Sequence, residues 1–317
     1  MLEVMTDDKK GNVFDISELV TDASWKTSRI GKPGSLDLTL LQASNYKINN
    51  GDIIRAKWDG KPLFYGYVFV IGRGEEETFK VKAYDQIRYL SSNDTYVVKN
   101  ITAAALLKQI AKDFGLKVGS VADTKYKIPS MIEDNQKLID IISKALDYTV
   151  INTGNIFVLY DDFGNLVIKD SKNMRLDLLI GDDSLMTGFS FERSIDSDTY
   201  NRVKLVQDNK KSKKREVYIA QDSANIGKWG RLQLMQKVDD NKNAAQIKQL
   251  LDQLIKLKNR ETKTLKLDAL GDPSVRAGCY VPIEIQELGI NQYYLVDECT
   301  HKISGNEYTM SLELKVI

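Results

Sequence analysis

The sequence predicts an α+β fold that is mostly β: two antiparallel β-barrel domains flanking an α+β insert. Three observations predict it. Strict alternation of apolar and polar residues dominates both ends of the chain, the signature of half-buried strands. From residue 93 to 180 the apolar spacing turns helical. A β-unit near the start also recurs near the end with similar internal spacing. The expected domains are 1–92, 93–180 and 181–317, the last carrying one long helix.

In the first domain, Lys32-Pro33-Gly34 supplies turn chemistry, after which Leu36, Leu38 and Leu40 alternate with Asp37 and Thr39. Ile54, Ala56 and Trp58 alternate with Arg55 and Lys57 up to Asp59-Gly60. An Asp-Gly pair tolerates the positive φ angles of a tight hairpin, so Leu63 to Val70 reads as the returning strand. Phe79, Val81 and Ala83 then face away from Lys80 and Lys82. Short strands joined by tight turns suit a small barrel or sandwich.

In the insert, Thr102 is placed to cap a helix whose stripe is Leu106, Leu107, Ile110, Ala111 and Phe114, with Gly115 as its stop. Leu138, Ile141, Ile142, Ala145 and Leu146 mark a second helix, and Asp162-Phe163-Gly164-Asn165 turns a hairpin from Phe157–Tyr160 into Leu166–Lys169. The last domain reads as strands at Leu185–Phe191, Tyr200–Val206 and Val217–Ala220. A helix at Ala244–Asn259, with Ile247, Leu250, Leu251, Leu254 and Leu257, is expected to pack across the second barrel. Tyr308, Met310, Leu312, Leu314 and Val316 form the closing alternation.

The repeat starts at a glycine in each half. Gly51 leads through a hairpin to Phe64-Tyr65-Gly66, and Gly278 leads through Glu287-Leu288-Gly289 to Tyr293-Tyr294-Leu295-Val296. Glycine to first aromatic is 13 residues in one half and 15 in the other. One β-unit used twice explains the match. Three copies of such a chain would offer six similar domains, so a threefold assembly could meet a sixfold ring. On that reading the polar phases, Arg55, Lys57, Lys80 and Lys82 with Glu284, Gln286, Ser311 and Glu313, would line a lumen or an interface.

Composition narrows the chemistry. At 317 residues, two or three domains are expected, and the chain buries a large core without disulfides. Lys plus Arg numbers 45 against 44 for Asp plus Glu, which argues against a dedicated nucleic-acid-coating protein. No apolar run reaches the roughly 18 residues of a membrane span, and Met1-Leu2-Glu3-Val4 does not open a secretory leader, so synthesis and residence without export are expected.

There is one histidine, His301, and two cysteines, Cys279 and Cys299, with neither metal-site spacing nor a phosphate-binding or nucleophile-elbow motif. Cys299 and His301 share a strand face, a pair read as ordinary strand residues rather than as a nucleophile and base. The carboxylate pairs Asp161-Asp162 and Asp182-Asp183 read as turn chemistry. Lys210 to Arg215 is a basic cluster without interleaved aromatics, expected as a solvated hairpin loop or a dock for an acidic partner. No catalytic residue, metal or cofactor is expected.

Strings running nearly end to end carry a family resemblance. They are Trp25 with Arg29 and Pro33-Gly34; Gly51-Asp52 with Phe64-Tyr65-Gly66; Tyr84-Asp85 with Arg88-Tyr89-Leu90; and Asp94-Thr95-Tyr96. Then come Tyr200-Asn201-Arg202-Val203, Gly271-Asp272 with Arg276-Ala277-Gly278, Tyr294-Leu295-Val296, His301 and Met310-Ser311-Leu312. The chain thereby resembles the XkdQ/YqbQ-type baseplate hub proteins of contractile phage tails and tail-like particles, which are similar in turn to late-control-protein-D hubs and to the hub half of type VI secretion spikes.

The resemblance implies a homotrimer with two tube-type barrel domains per subunit. It would adapt a sixfold tail tube to a threefold central spike, surrounded by baseplate wedge proteins. The tape measure protein is a further partner it allows. It implies a structural part of a virion or of a bacteriocin-like particle, made in the bacterial cytoplasm. No membrane and no sequence-specific nucleic acid is expected as a partner. The competing expectation is a tail-associated enzyme that degrades cell wall.

Overall fold

The computed structural model describes residues 1–43, 46–75, 77–209, 214–238 and 242–315. It is mostly β and falls into two compact units, Met1–Ser190 with Lys266–Lys315, and Phe191–Leu265.

The chain opens with β1 (Leu2–Asp7), β2 (Val13–Asp15), β3 (Val20–Ser28), β4 (Ser35–Leu41), β5 (Ile53–Trp58), β6 (Lys61–Arg73) and β7 (Thr78–Tyr84). The turn from β5 to β6 has the left-handed backbone expected of Asp-Gly, with φ of 47° at Asp59 and 73° at Gly60. The alternation delivers the inner face: Leu36, Leu38 and Leu40 of β4 pack with Trp25, Ile54, Phe64 and Val81.

Next come β8 (Asn93–Thr102), α1 (Ala103–Asp113), β9 (Val118–Val121), β10 (Lys127–Lys137), α2 (Leu138–Thr153), β11 (Phe157–Asp161) and β12 (Leu166–Asp170). Thr102 caps α1 by accepting the Ala105 N–H at 3.2 Å, and Gly115 follows the helix with φ 63°. The stripes of both helices share one core with Tyr96, Val98 and Met131. The β8–β10 ribbon was not predicted. Its partners Val97 and Ile132 are both 69% exposed, so apolar residues occupy both faces and the two-residue period is blurred.

The chain continues through β13 (Ile180–Gly181) and β14 (Met186–Ser194) into β15 (Arg202–Asn209), β16 (Lys214–Gln221), α3 (Ser223–Trp229), β17 (Gln233–Lys237) and α4 (Ala244–Lys258). Within the second unit the sheet order is β16-β15-β17. Ile247 and Leu251 of α4 pack on Val203, Leu205 and Val238, so this helix covers a sheet of its own rather than a barrel. Asn243 and Gln246 form a reciprocal capping box at its start. Of the basic cluster, Lys214 and Arg215 begin β16, while Lys210–Lys213 lie outside the described residues, as does Val316.

The closing strands are β18 (Thr262–Leu270), β19 (Tyr280–Ile285), β20 (Ile290–Ser304) and β21 (Glu307–Lys315). The main sheet runs β14-β18-β21-β20-β3-β4-β7-β6-β5-β1-β2, with β19 on β20 and β13 on β19. Amino-terminal and carboxyl-terminal strands therefore join directly, where β20 from Glu298 to Ser304 lies antiparallel to β3.

The order β4-β7-β6-β5 recurs as β18-β21-β20-β19. Gly51 donates its N–H to the Val68 carbonyl at 2.8 Å and receives the chain back as Val68 N–H reaches the Asp52 carbonyl at 2.9 Å. Gly278 does the same with Val296 at 2.8 Å, and Val296 with Cys279 at 2.9 Å. Both glycines need left-handed backbone, with φ 90° and 93°. A bulge then follows the same valine in each copy: β6 shifts register against β7 between Val68 and Val70, and β20 against β21 between Val296 and Glu298.

Candidate assembly surface

The outward face of the main sheet is polar and grooved. Lys82 stands opposite Asp37 and pairs with it at 3.0 Å, and Lys80 stands opposite Thr39. Beyond β4, this face continues through Asp22 and Ser24 of β3 to Lys302 and Ser304 of β20. These side chains line a groove of about 670 Å³ that also takes in Val70 and Gly72 of β6.

The structure brings some of the predicted residues together here and leaves others apart. Lys80 and Lys82 line the groove. Arg55 and Lys57 keep the outward phase on β5, Arg55 paired with Asp7 at 2.9 Å and resting over the Tyr65 ring, Lys57 opposite Glu3. On β21, Ser311 donates to Asp268 at 2.6 Å and Glu313 meets Lys266 at 3.8 Å. Glu284 and Gln286 sit elsewhere, at the end of β19: Glu284 opposite Asn291, and the Gln286 N–H donating to the Asp182 carboxylate at 2.8 Å. Asp182 thus anchors a distant strand end rather than its own turn. In the repeat, Lys82–Asp37 and Glu313–Lys266 occupy matching places with the charges exchanged.

The predicted cysteine–histidine pair is close but sealed. Cys299 Sγ lies 3.1 Å from His301 Nε2, and both side chains are fully buried. Nε2 also lies 2.8 Å from the Val275 carbonyl and Nδ1 lies 2.9 Å from the Tyr308 hydroxyl. A neutral ring with its proton on Nε2 satisfies both, donating to the carbonyl and accepting from the hydroxyl. Burial holds His301 down at about 4 and pushes the Cys299 thiol up, so neither ion of a nucleophilic pair is favoured. The imidazole instead stacks on Trp25, centroids 4.7 Å apart and planes at 19°.

A second buried polar cluster was not found from sequence. Asp85 accepts from the Gly34 N–H at 2.8 Å and caps the turn Gln86–Ser91 through the Ile87 N–H at 3.0 Å. Asp161 accepts from the Gly164 N–H at 2.6 Å, and Gln86 bridges the two segments by donating to the Gly164 carbonyl at 2.5 Å. The Arg276 guanidinium lies 3.9 Å from the Tyr160 ring centroid and donates to the Asp161 carbonyl at 3.3 Å. Burial raises both carboxyls, Asp85 well above the usual range and Asp161 to about 6. The strings Tyr84-Asp85 and Arg276-Ala277-Gly278 were the available signal; only the fold shows that they converge.

Among the described residues no group of three or more His, Cys, Asp or Glu is placed to hold a metal ion. Among the described residues no helix is long and apolar enough to cross a membrane.

A family model described as YQBQ-like matches residues 23–315. The chain belongs to the YQBQ-like family. Its relatives include the phage-like element PBSX protein XkdQ of Bacillus subtilis, 34% identical over 307 residues, spanning 94% of this chain and 93% of the relative. Among solved structures, the 43 kDa tail protein of prophage MuSo2 from Shewanella oneidensis aligns with TM-score 0.73 at 16% identity, over 98% of both chains. The E. coli c3393 protein, a component of the type VI secretion system, aligns with TM-score 0.58 at 9% identity, over 99% of this chain and 76% of the other. At these identities the likeness is one of fold.

Proposed function

We propose that this YQBQ-like chain is a structural part of a phage tail or tail-like particle: a homotrimeric baseplate hub that joins a sixfold tail tube to a threefold central spike. The observation that carries the reading is the repeated β-unit, with its matched glycine contacts, bulges and strand order. Two such units per chain read as two tube-type barrel domains, and three chains supply six of them. The relative named for a phage-like element and the fold shared with a prophage tail protein and a type VI component support the same role.

The outward groove with Lys80 and Lys82, and the matching positions of Ser311 and Glu313, form the lumen-facing or interface surface in this reading. The role is scaffolding rather than catalysis, without a cofactor, and its place is the baseplate of the particle. Tube, spike and wedge proteins are the partners. Sedimentation and native mass spectrometry of the full chain, alone and with a spike chain from the same genome, test it. A trimer in either condition is expected. A chain that stays monomeric in both, or that forms closed dimers, overturns the hub reading.

A further inference from the structure

We propose that the uncovered face of the β16-β15-β17 sheet docks an acidic amphipathic helix of a partner protein. These strands belong to neither repeat, so the docking is independent of any ring the repeats would form.

Alternation divides this small sheet into two unlike faces. Val203 and Leu205 of β15, with Tyr218 and Ala220 of β16 and Leu234 of β17, turn to one side and pack with Ile247 and Leu251 of α4. Residues one step along turn to the other side. There Lys204 stands between Ile219 and Met235, and Val206 between Val217 and Lys237. Val217, Ile219 and Met235 are 48%, 45% and 53% exposed. Tyr218 and Ala220, interleaved with them on β16, are half-buried, so the exposure belongs to the face and not to the strand's place at the sheet edge.

Only one of the two layers such a sheet usually carries is supplied by these elements. β15 and β17 run parallel, and strands paired in parallel usually have a layer on each face. α3, in the connection from β16 to β17, buries none of its residues and provides no second layer. α4 provides the first and shows what the sheet accepts: a helix whose apolar residues recur four apart. The uncovered face offers aliphatic side chains of the same kind.

Charge decides what the second helix carries. The uncovered face has Arg202, Lys204, Arg215 and Lys237 against one carboxylate, Asp208. Asp208 is already engaged, by Arg215 at 2.8 Å and Lys237 at 2.7 Å. Arg202 is held by amide oxygens instead, donating to Gln233 at 2.9 Å and to Gln221. Between β15 and β16 the sequence adds Lys210, Lys211 and Lys213 without an acid. A helix with carboxylates flanking an apolar stripe complements both the cations and the aliphatic centre. Nucleic acid would meet the cations but find no ring to stack on, because Tyr218, the one aromatic residue of these three strands, faces α4.

Peptide capture by the full-length chain tests the docking. The immobilised chain would be offered overlapping twenty-residue peptides, each able to form about 30 Å of helix, tiling the other proteins encoded beside it. Retained peptides are expected to be rich in Asp and Glu, with apolar residues three and four apart. Ile219→Ser should weaken them about tenfold while leaving the thermal midpoint unchanged. Lys204→Glu should weaken them similarly and should be rescued by exchanging one acidic residue of the peptide for Lys, which damage to the fold would not produce. The proposal falls if no peptide is retained, if the retained set is not acidic, or if acidic peptides bind Ile219→Ser as well as the wild type. It falls equally if oligothymidine or phosphatidylglycerol vesicles bind through Ile219 while no peptide does. A concentration-dependent dimer that Ile219→Ser dissolves would make a second copy the occupant and overturn it too. Capture is read whatever the oligomeric state, so a chain that fails to trimerise loses the hub reading and leaves this result standing.

Discussion

His301 lies flat on Trp25, and the two residues come from opposite ends of the chain: β20 and β3, directly opposite in the antiparallel ladder. Beside them the Ala277 N–H donates to Thr27 Oγ1 at 3.0 Å, so three segments are tied at one place. This is where the two repeats are welded into one sheet, and several expectations follow from it.

Removing the ring on the amino-terminal side should loosen the weld. Trp25→Ala is expected to cost about 3–5 kcal/mol by loss of buried area and the cavity left behind. Trp25→Phe, which keeps a stacking partner, should cost less than half of that. Urea unfolding followed by near-ultraviolet circular dichroism measures both.

Stability against pH should show two opposed contributions. His301 is lowered to about 4 from an ordinary 6.5, so its neutral form is favoured on folding and its contribution is lost as pH falls from 6.5 towards 4. Asp161 is raised to about 6 from an ordinary 3.8, so its contribution is complete below 3.8 and is lost as pH rises through 6. Asp85, also raised, adds to the second trend. Between pH 4 and 6 the wild type should therefore lose stability as pH rises, because two raised carboxyls outweigh one lowered histidine. His301→Gln should steepen that loss and Asp161→Asn should flatten it, each by up to about 1.4 kcal/mol per pH unit. Urea midpoints at half-unit steps of pH provide the measurement.

The two thiols should be silent in the folded protein. Burial raises both Cys279 and Cys299, and Cys299 is packed against His301. Ellman's reagent at pH 8 is expected to find neither without denaturant and both in guanidinium. Fast labelling of Cys299 in the native chain would show that this part of the sheet opens.

Two glycines six residues apart on β6, about 20 Å at the usual strand rise, should behave differently. A Cβ at Gly66 would stand 2.3 Å from the Tyr84 carbonyl oxygen and 2.5 Å from the Phe64 ring, whereas one at Gly72 meets nothing within 4 Å. Gly66→Ala should destabilise by about 1–3 kcal/mol, and Gly72→Ala should change stability by less than about 1 kcal/mol in the isolated chain. Thermal unfolding of the two variants side by side checks the contrast.

By itself the sequence determined which residues alternate inward, where α1 begins and ends, the apolar stripe of α2, the Asp59-Gly60 hairpin, and the two glycines that open the repeated unit. Each of these is set by local period, capping or φ preference, which neighbouring residues express on their own. It also placed Cys299 beside His301, since residues two apart on a strand share a face. Only the tertiary structure decided that β20 lies against β3, that α4 covers a three-stranded sheet of its own, and that Asp85 and Asp161 meet through Gln86. A strand's backbone edge carries the same N–H and C=O groups whatever its side chains, so which strand comes next is chosen by packing over the whole chain and leaves no nearby trace.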